Sequence, residues 1–287
     1  VKKEAGKKII VGGGILVLAL IFLFSSKFFR KTFDSHQFLT QLKEQIIEEN
    51  WLESEDDRKL VLKKEQGKFS GFDWINQEGQ VELVSGYFLE YNPFGNSFTR
   101  PDPNIAGGAE KIKNYLLAKG FKVNDDNTYF DQNEQSFWAK ENALGGRLGL
   151  EKGEIKCLLS PYFLAFINGG LTLNCGDLSQ STTPAIYQEI YAFANPQNDL
   201  KFKLTIDNYT DEFAVGGTGG GGGGAASLWK KENGQWRTLQ TTQMAWDCQI
   251  LLDNQVPASL INQCLFYDQP AYEEQNYPDL YQQTLGQ

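Results

Sequence analysis

Hydrophobic positions are spaced differently in successive parts of this chain, and each spacing predicts a different element. Residues 9–24 read IIVGGGILVLALIFLF, sixteen residues without a charge. At ~1.5 Å per residue the run spans ~24 Å of a ~30 Å hydrocarbon layer; Ser25 and Ser26 lengthen it and Lys27 can reach the headgroups. Beyond it Phe38, Leu39, Leu42, Ile46 and Ile47 recur at helical spacing behind Asp34 or Ser35 as cap, with Trp51 closing the stripe. From residue 59 to 91 the pattern is strand-like. LVL, FDWI, VELV and YFLEY are β-rich runs separated by Gly67, Gly71, Gly79 and Gly86, and INQEGQVEL reads as a hairpin. Residues 92–104, rich in Pro, Gly and Asn, are a loop and a candidate subdomain boundary.

Residues 109–118 (AEKIKNYLLA) predict a helix with Ile112, Tyr115 and Leu116 on one face and Gly120 as its stop. Strands are expected around Phe121 and over 137–139, 148–150, 155–159 and 171–174. Pro184 then opens a helix that ends before Pro196, followed by strands over 201–206, 212–215, 227–231 and 235–241, the last two joined by a type I′ turn at Asn233 and Gly234. A short helix starts at Cys248, and Pro257 opens a second that runs to Cys264. Residues 268–287 are acidic and tyrosine-rich (Tyr272, Tyr277, Tyr281) without a core pattern, a tail either disordered or laid across the domain. Helix followed by antiparallel meander, twice, predicts an α+β protein of two helix-plus-sheet units, cystatin-like or NTF2-like. The expected organisation is a stub and transmembrane signal anchor over 1–31, a first unit over 32–178, a second over 183–267 and the tail over 268–287.

A cleaved secretory signal would share the apolar run, but LFSSKFFRKTF has no small-x-small site and no cysteine follows for lipid attachment. An uncleaved anchor over residues 9–26 is therefore expected. Lys2, Lys3, Lys7 and Lys8 on one side balance Lys27, Arg30 and Lys31 on the other, so the basic residues alone do not orient it. The cysteines do. Cys157, Cys175, Cys248 and Cys264 are even in number and close in pairs, which suggests two local disulfides of roughly 3 kcal/mol each in an oxidising compartment, although three connectivities fit the count. The domain after the anchor is thus expected outside the cell membrane, as in a single-pass protein.

Of 287 residues, 41% are hydrophobic and 22% charged, which excludes a wholly disordered chain. Seven of the 27 basic and one of the 36 acidic residues precede residue 32, leaving 20 against 35 and a net charge of −15 for the rest. Such a domain is repelled by nucleic acid and by anionic headgroups alike. The only histidine, His36, is expected as an exposed or capping residue of the first helix, and a multi-histidine metal site is excluded.

The stretch 184–266 resembles a module of membrane-anchored bacterial extracytoplasmic proteins of unknown function. Phe213, Ala214, Gly216, Trp229, Gly234, Trp236, Cys248, Pro257 and Cys264 carry the resemblance: Phe-Ala-x-Gly, a glycine run, a Gly-x-Trp hairpin and two cysteines flanking a proline. It implies a location and a fold, and no catalytic residue.

Four constellations bear on chemistry. Gly216, Gly217 and residues 219–224 are no phosphate loop, because no Lys-Ser/Thr and no helix start follow; they are expected to be a flexible strand-to-strand loop. Residues 124–134 (NDDNTYFDQNE) miss the EF-hand spacing and read as a solvated turn. Trp74, Trp138, Trp229, Trp236 and Trp246 form either a stacking platform or, as aromatics in strands more often do, a core. Glu53 with Asp57 and Asp211 with Glu212 are acid pairs of the kind a glycosidase uses, but chance supplies such pairs among 36 acids. No catalytic, cofactor-binding or metal-binding residue is assigned. The expected function is a tethered, non-enzymatic binding or assembly module at the cell envelope, its partner an envelope protein or glycan; the alternative is an envelope glycan hydrolase.

Overall fold

The computed structural model describes residues 32–52, 60–64, 69, 71–91, 103–130, 146–164, 167–220, 223–268 and 273–285. The expected anchor at 9–26 lies outside them; among the described residues no helix is long and apolar enough to cross a membrane. The protein is α+β. Helix α1 (Ser35–Glu48) precedes strands β1 (Leu60–Lys64), β2 (Phe72–Ile75), β3 (Val81–Val84) and β4 (Gly86–Tyr91). Helix α2 (Pro103–Ala118) leads into β5 (Lys122–Phe130), β6 (Gly146–Lys152), β7 (Ile155–Leu164) and β8 (Ile167–Asp177). Helix α3 (Ala185–Ala194) leads into β9 (Lys203–Tyr209), β10 (Phe213–Gly220), β11 (Gly223–Glu232) and β12 (Gln235–Thr242). The chain continues through β13 (Trp246–Asp247), α4 (Cys248–Asp253), β14 (Gln263–Leu265), β15 (Glu274–Asn276) and α5 (Tyr277–Thr284).

A helix followed by a four-stranded antiparallel meander thus occurs twice, as α2 with β5 to β8 and as α3 with β9 to β12. The first meander is widened to six strands, in the order β1-β4-β8-β7-β6-β5. Its helix-covered face carries the aligned rows Leu89, Leu173, Leu159, Leu148 and Tyr87, Cys175, Cys157, Leu150. Against these, α1 buries Leu39, Leu42 and Ile46, the one-face spacing an amphipathic helix requires, and α2 packs over β7 and β8. Cys157 and Cys175 stand directly opposite in this register and are disulfide-bonded, as are Cys248 and Cys264.

The β2–β3 hairpin lies between the two halves. Alternation sends Phe72, Trp74 and Val84 to one side, where they join Leu158 of the first sheet. Ile75, Val81 and Leu83 point to the other, where they join Tyr187, Ile190 and Tyr191 of α3 and Leu204, Ile206, Ala214, Trp229 and Trp236 of the second sheet. The opposite face of the second sheet offers Phe213, Val215 and Leu228 to a third cluster built from Cys248, Leu251, Val256, Ile261, Cys264 and Tyr277.

Several expectations are corrected. The glycine run is strand over its described residues, where β10 and β11 stay in register to Gly220 opposite Gly223; residues 221 and 222 lie outside the described residues. Residues 124–130 belong to β5, whose irregular pairing with β6 takes up the polar stretch, and 131–134 lie outside the described residues. Around Cys264 the chain forms β14, parallel to β13, because backbone groups there find a strand partner and not a helical one. Nor do the described residues of the 268–287 tail lack a core pattern: Asn276 caps α5, and Tyr277, fully buried, donates to the carbonyls of Leu251 and Val256. The Asn-Gly turn stands as expected, with φ of 52° at Asn233 and 80° at Gly234.

Candidate functional site

The glycine strands floor an open groove. On β10 and β11, Ala214, Gly216, Thr218 and their partners Trp229, Ser227, Ala225 face α3, whereas Val215, Gly217, Gly219 and Leu228, Ala226, Gly224 face the other way. The disulfide-clasped cluster covers Val215 and Leu228. Further along the strands, Gly217, Gly219, Gly224 and Ala226 floor an open groove of about 610 Å³. Lys203, Thr205 and Asp207 of β9 wall it on one side; Thr242, Gln243 and Met244, at and beyond the end of β12, wall it on the other.

Local geometry explains these positions. Opposite Val215 and Gly216 the β9–β10 register slips, so Asp207 is the extra residue of a bulge between Ile206 and Asn208. At that slip the strands close in, and a Cβ on Gly216 would run into the Thr205 carbonyl. Gly224 is different: a Cβ there would meet nothing nearer than 3.4 Å, so the fold does not demand glycine and its absence of a side chain leaves the floor flat. Beneath the floor, Thr218 Oγ1, Ser227 Oγ and Thr241 Oγ1 form a hydroxyl ladder with spacings of 3.1 and 3.4 Å. Gln243 Nε2 donates to the Gly224 carbonyl at 3.0 Å and holds the far wall in place. The walls supply an ammonium, a carboxylate, hydroxyls and an amide, the chemistry of noncovalent recognition.

A second constellation is a buried polar junction between the halves. On the α3 side of the hairpin, Asp73 accepts a 2.5 Å hydrogen bond from the Tyr187 hydroxyl. Burial raises its carboxyl from an ordinary 3.8 to about 6, against the lowering pull of Tyr187, Arg147 and Lys203. Arg147 of β6 donates to the Asp73 carbonyl and to Asn127 Oδ1, while its Nε is buried without a partner, and burial lowers its own pKa. Asn127, fully buried, imitates a neighbouring strand: its Oδ1 accepts from the Ile75 amide and its Nδ2 donates to the Ile75 carbonyl, both at 2.8 Å. Burial, joined by the charge of Asp73, pushes the Tyr191 hydroxyl up to about 12. The junction ties β2, β5, β6 and α3 together; of the groups around it Lys203 also lines the groove.

The residues singled out from the sequence are placed elsewhere. Trp74, Trp229 and Trp236 are buried in the cores and Trp246 is half-buried beside the clasp, so they form no platform; Trp138 lies outside the described residues. Asp211 and Glu212 are exposed on the β9–β10 turn, away from the groove lining, and Glu53 and Asp57 are outside the described residues. His36 is exposed, its ring edge-on to Tyr87 at 4.9 Å. Among the described residues no cluster of His, Cys, Asp or Glu could hold a metal ion. Sequence reasoning missed the groove walls, although K-L-T-I-D over 203–207 carries the signal, polar at every second position. No family model matches the chain, and no curated protein or solved structure matches it either.

Proposed function

We propose that this protein is a membrane-tethered, non-enzymatic binding or assembly module of the cell envelope, with residues 9–26 as its anchor and the glycine-floored groove as its binding face. The observation that carries this is the bare strip itself: a sheet covered on one face by α3 and on the other by the clasp keeps Gly217, Gly219, Gly224 and Ala226 open between polar walls. The two disulfides and the net charge of −15 after residue 31 suit an oxidising exterior beside an anionic membrane. The helix-and-meander units are cystatin-like or NTF2-like in this proposal. The partner is an envelope protein or glycan. The hydrolase alternative needs two carboxyls about 5–10 Å apart, and the groove lining contains one, Asp207.

Capture from solubilised membranes tests the function. The wild-type full chain is expected to retain a specific partner that Ala226→Leu, whose side chain fills the floor beside Gly217, loses by tenfold or more. Equal capture by both chains would remove the groove from the function.

A further inference from the structure

Building on the groove as the binding face, we infer that it takes an extended polypeptide segment of small side chains, with an acidic and a basic residue four positions apart. The floor is the first reason. Gly217, Gly219 and Gly224 present only backbone, so a second backbone can lie closer to it than the ~10 Å at which side-chain-bearing sheets stack. Such an approach admits glycine, alanine or serine and excludes bulkier side chains.

Width is the second. β9 and β12 are third neighbours, about 14 Å apart, which leaves room between the walls for one extended chain running along the strands. The third is chemical. None of the lining residues is aromatic, so the groove offers no flat apolar ring on which a sugar could stack. Met244 instead projects from the wall, 70% exposed, an unbranched thioether that can lie along the backbone of a segment of small residues.

Charge fixes the register. Lys203 and Asp207 lie on one wall, roughly 13 Å apart along the strand, so an acid of the bound segment faces Lys203 and a base faces Asp207.

The test uses the full chain in detergent, fluorescein-labelled Glu-Ala-Gly-Ala-Lys and Lys-Ala-Gly-Ala-Lys peptides, and a labelled β-1,4-linked N-acetylglucosamine tetramer. The mixed-charge peptide is expected to raise anisotropy saturably and to bind at least tenfold more weakly to Ala226→Leu. Lys203→Glu should reverse the preference so that the dibasic peptide binds better, a gain that misfolding does not produce. Unchanged thermal midpoints confirm that the variants are folded. Binding of the sugar but not the peptides would overturn the polypeptide occupant while leaving the binding module standing. No binding of any probe, or a dimer in sedimentation that Ala226→Leu dissociates, would overturn it too, the latter assigning the groove to a second copy.

Discussion

Asp73 sits where an ionised carboxylate is poorly solvated, in a hairpin with a core on each side. Its carboxyl titrates near 3.8 when unfolded and near 6 when folded, so the folded protein binds that proton more tightly. The stabilising effect is therefore full below about pH 4, is lost as pH rises toward 6, and stays lost above it. A rise from 3.8 to about 6 corresponds to about 3 kcal/mol. Asp73→Asn, which keeps an acceptor for Tyr187 without the charge, is expected to raise stability at pH 7.5 by about 1–3 kcal/mol and to flatten the pH dependence between 4 and 6.5. Urea titrations at pH 4.5 and 7.5 measure this; a variant with the wild-type slope would mean that Asp73 is not the group responsible. The sequence does show FDWI as a strand. That its aspartate is buried follows only from apolar residues on both faces of the hairpin, Trp74 on one and Ile75 on the other, which is the mark of an element covered twice.

At the scale of elements, the helices and the strands rich in aromatic and branched residues were legible because burial imposes a period on them. The α3 segment begins at Pro184 and places Tyr187, Ile190 and Tyr191 on one face, as the spacing says it must. The end of the β10–β11 hairpin was not legible. Glycine has no side chain to show alternation and a low strand preference, so the pairing of Gly219 with Gly224 is dictated by neighbouring strands and the hydroxyl ladder below. Two of these glycines should behave oppositely. Gly216→Ala is expected to cost about 2 kcal/mol or more, because its Cβ meets the Thr205 carbonyl, whereas Gly224→Ala is expected to be neutral or to stabilise by about 0.5 kcal/mol through reduced unfolded-state entropy. Denaturant midpoints of the two variants decide it; equal losses would mean that the strands are not held as closely as the bulge requires. The short C-terminal elements escaped for another reason: β14 depends on a partner strand, and α5 carries a single short stripe, Tyr277, Leu280 and Tyr281, that spans little more than one helical turn.

Across the whole molecule, the described residues from Ser35 onward form one compact unit in which the β2–β3 hairpin belongs to the core on either side. The buried junction of Asp73, Asn127, Arg147 and Tyr187 fastens the same place. A rigid support follows for the groove, which lies on the far sheet beyond the clasp. The proposed function requires that this groove, and not the helical face of α1 and α2, meets the partner. A photo-cross-linker read out in intact cells tests it most directly, with Met244→p-benzoylphenylalanine on the groove wall and Glu44→p-benzoylphenylalanine on the exposed side of α1. A discrete adduct is expected from position 244, absent from position 44, and abolished when Ala226→Leu is added. An adduct from position 44 alone, or one from position 244 that persists with the floor filled, would contradict the claim.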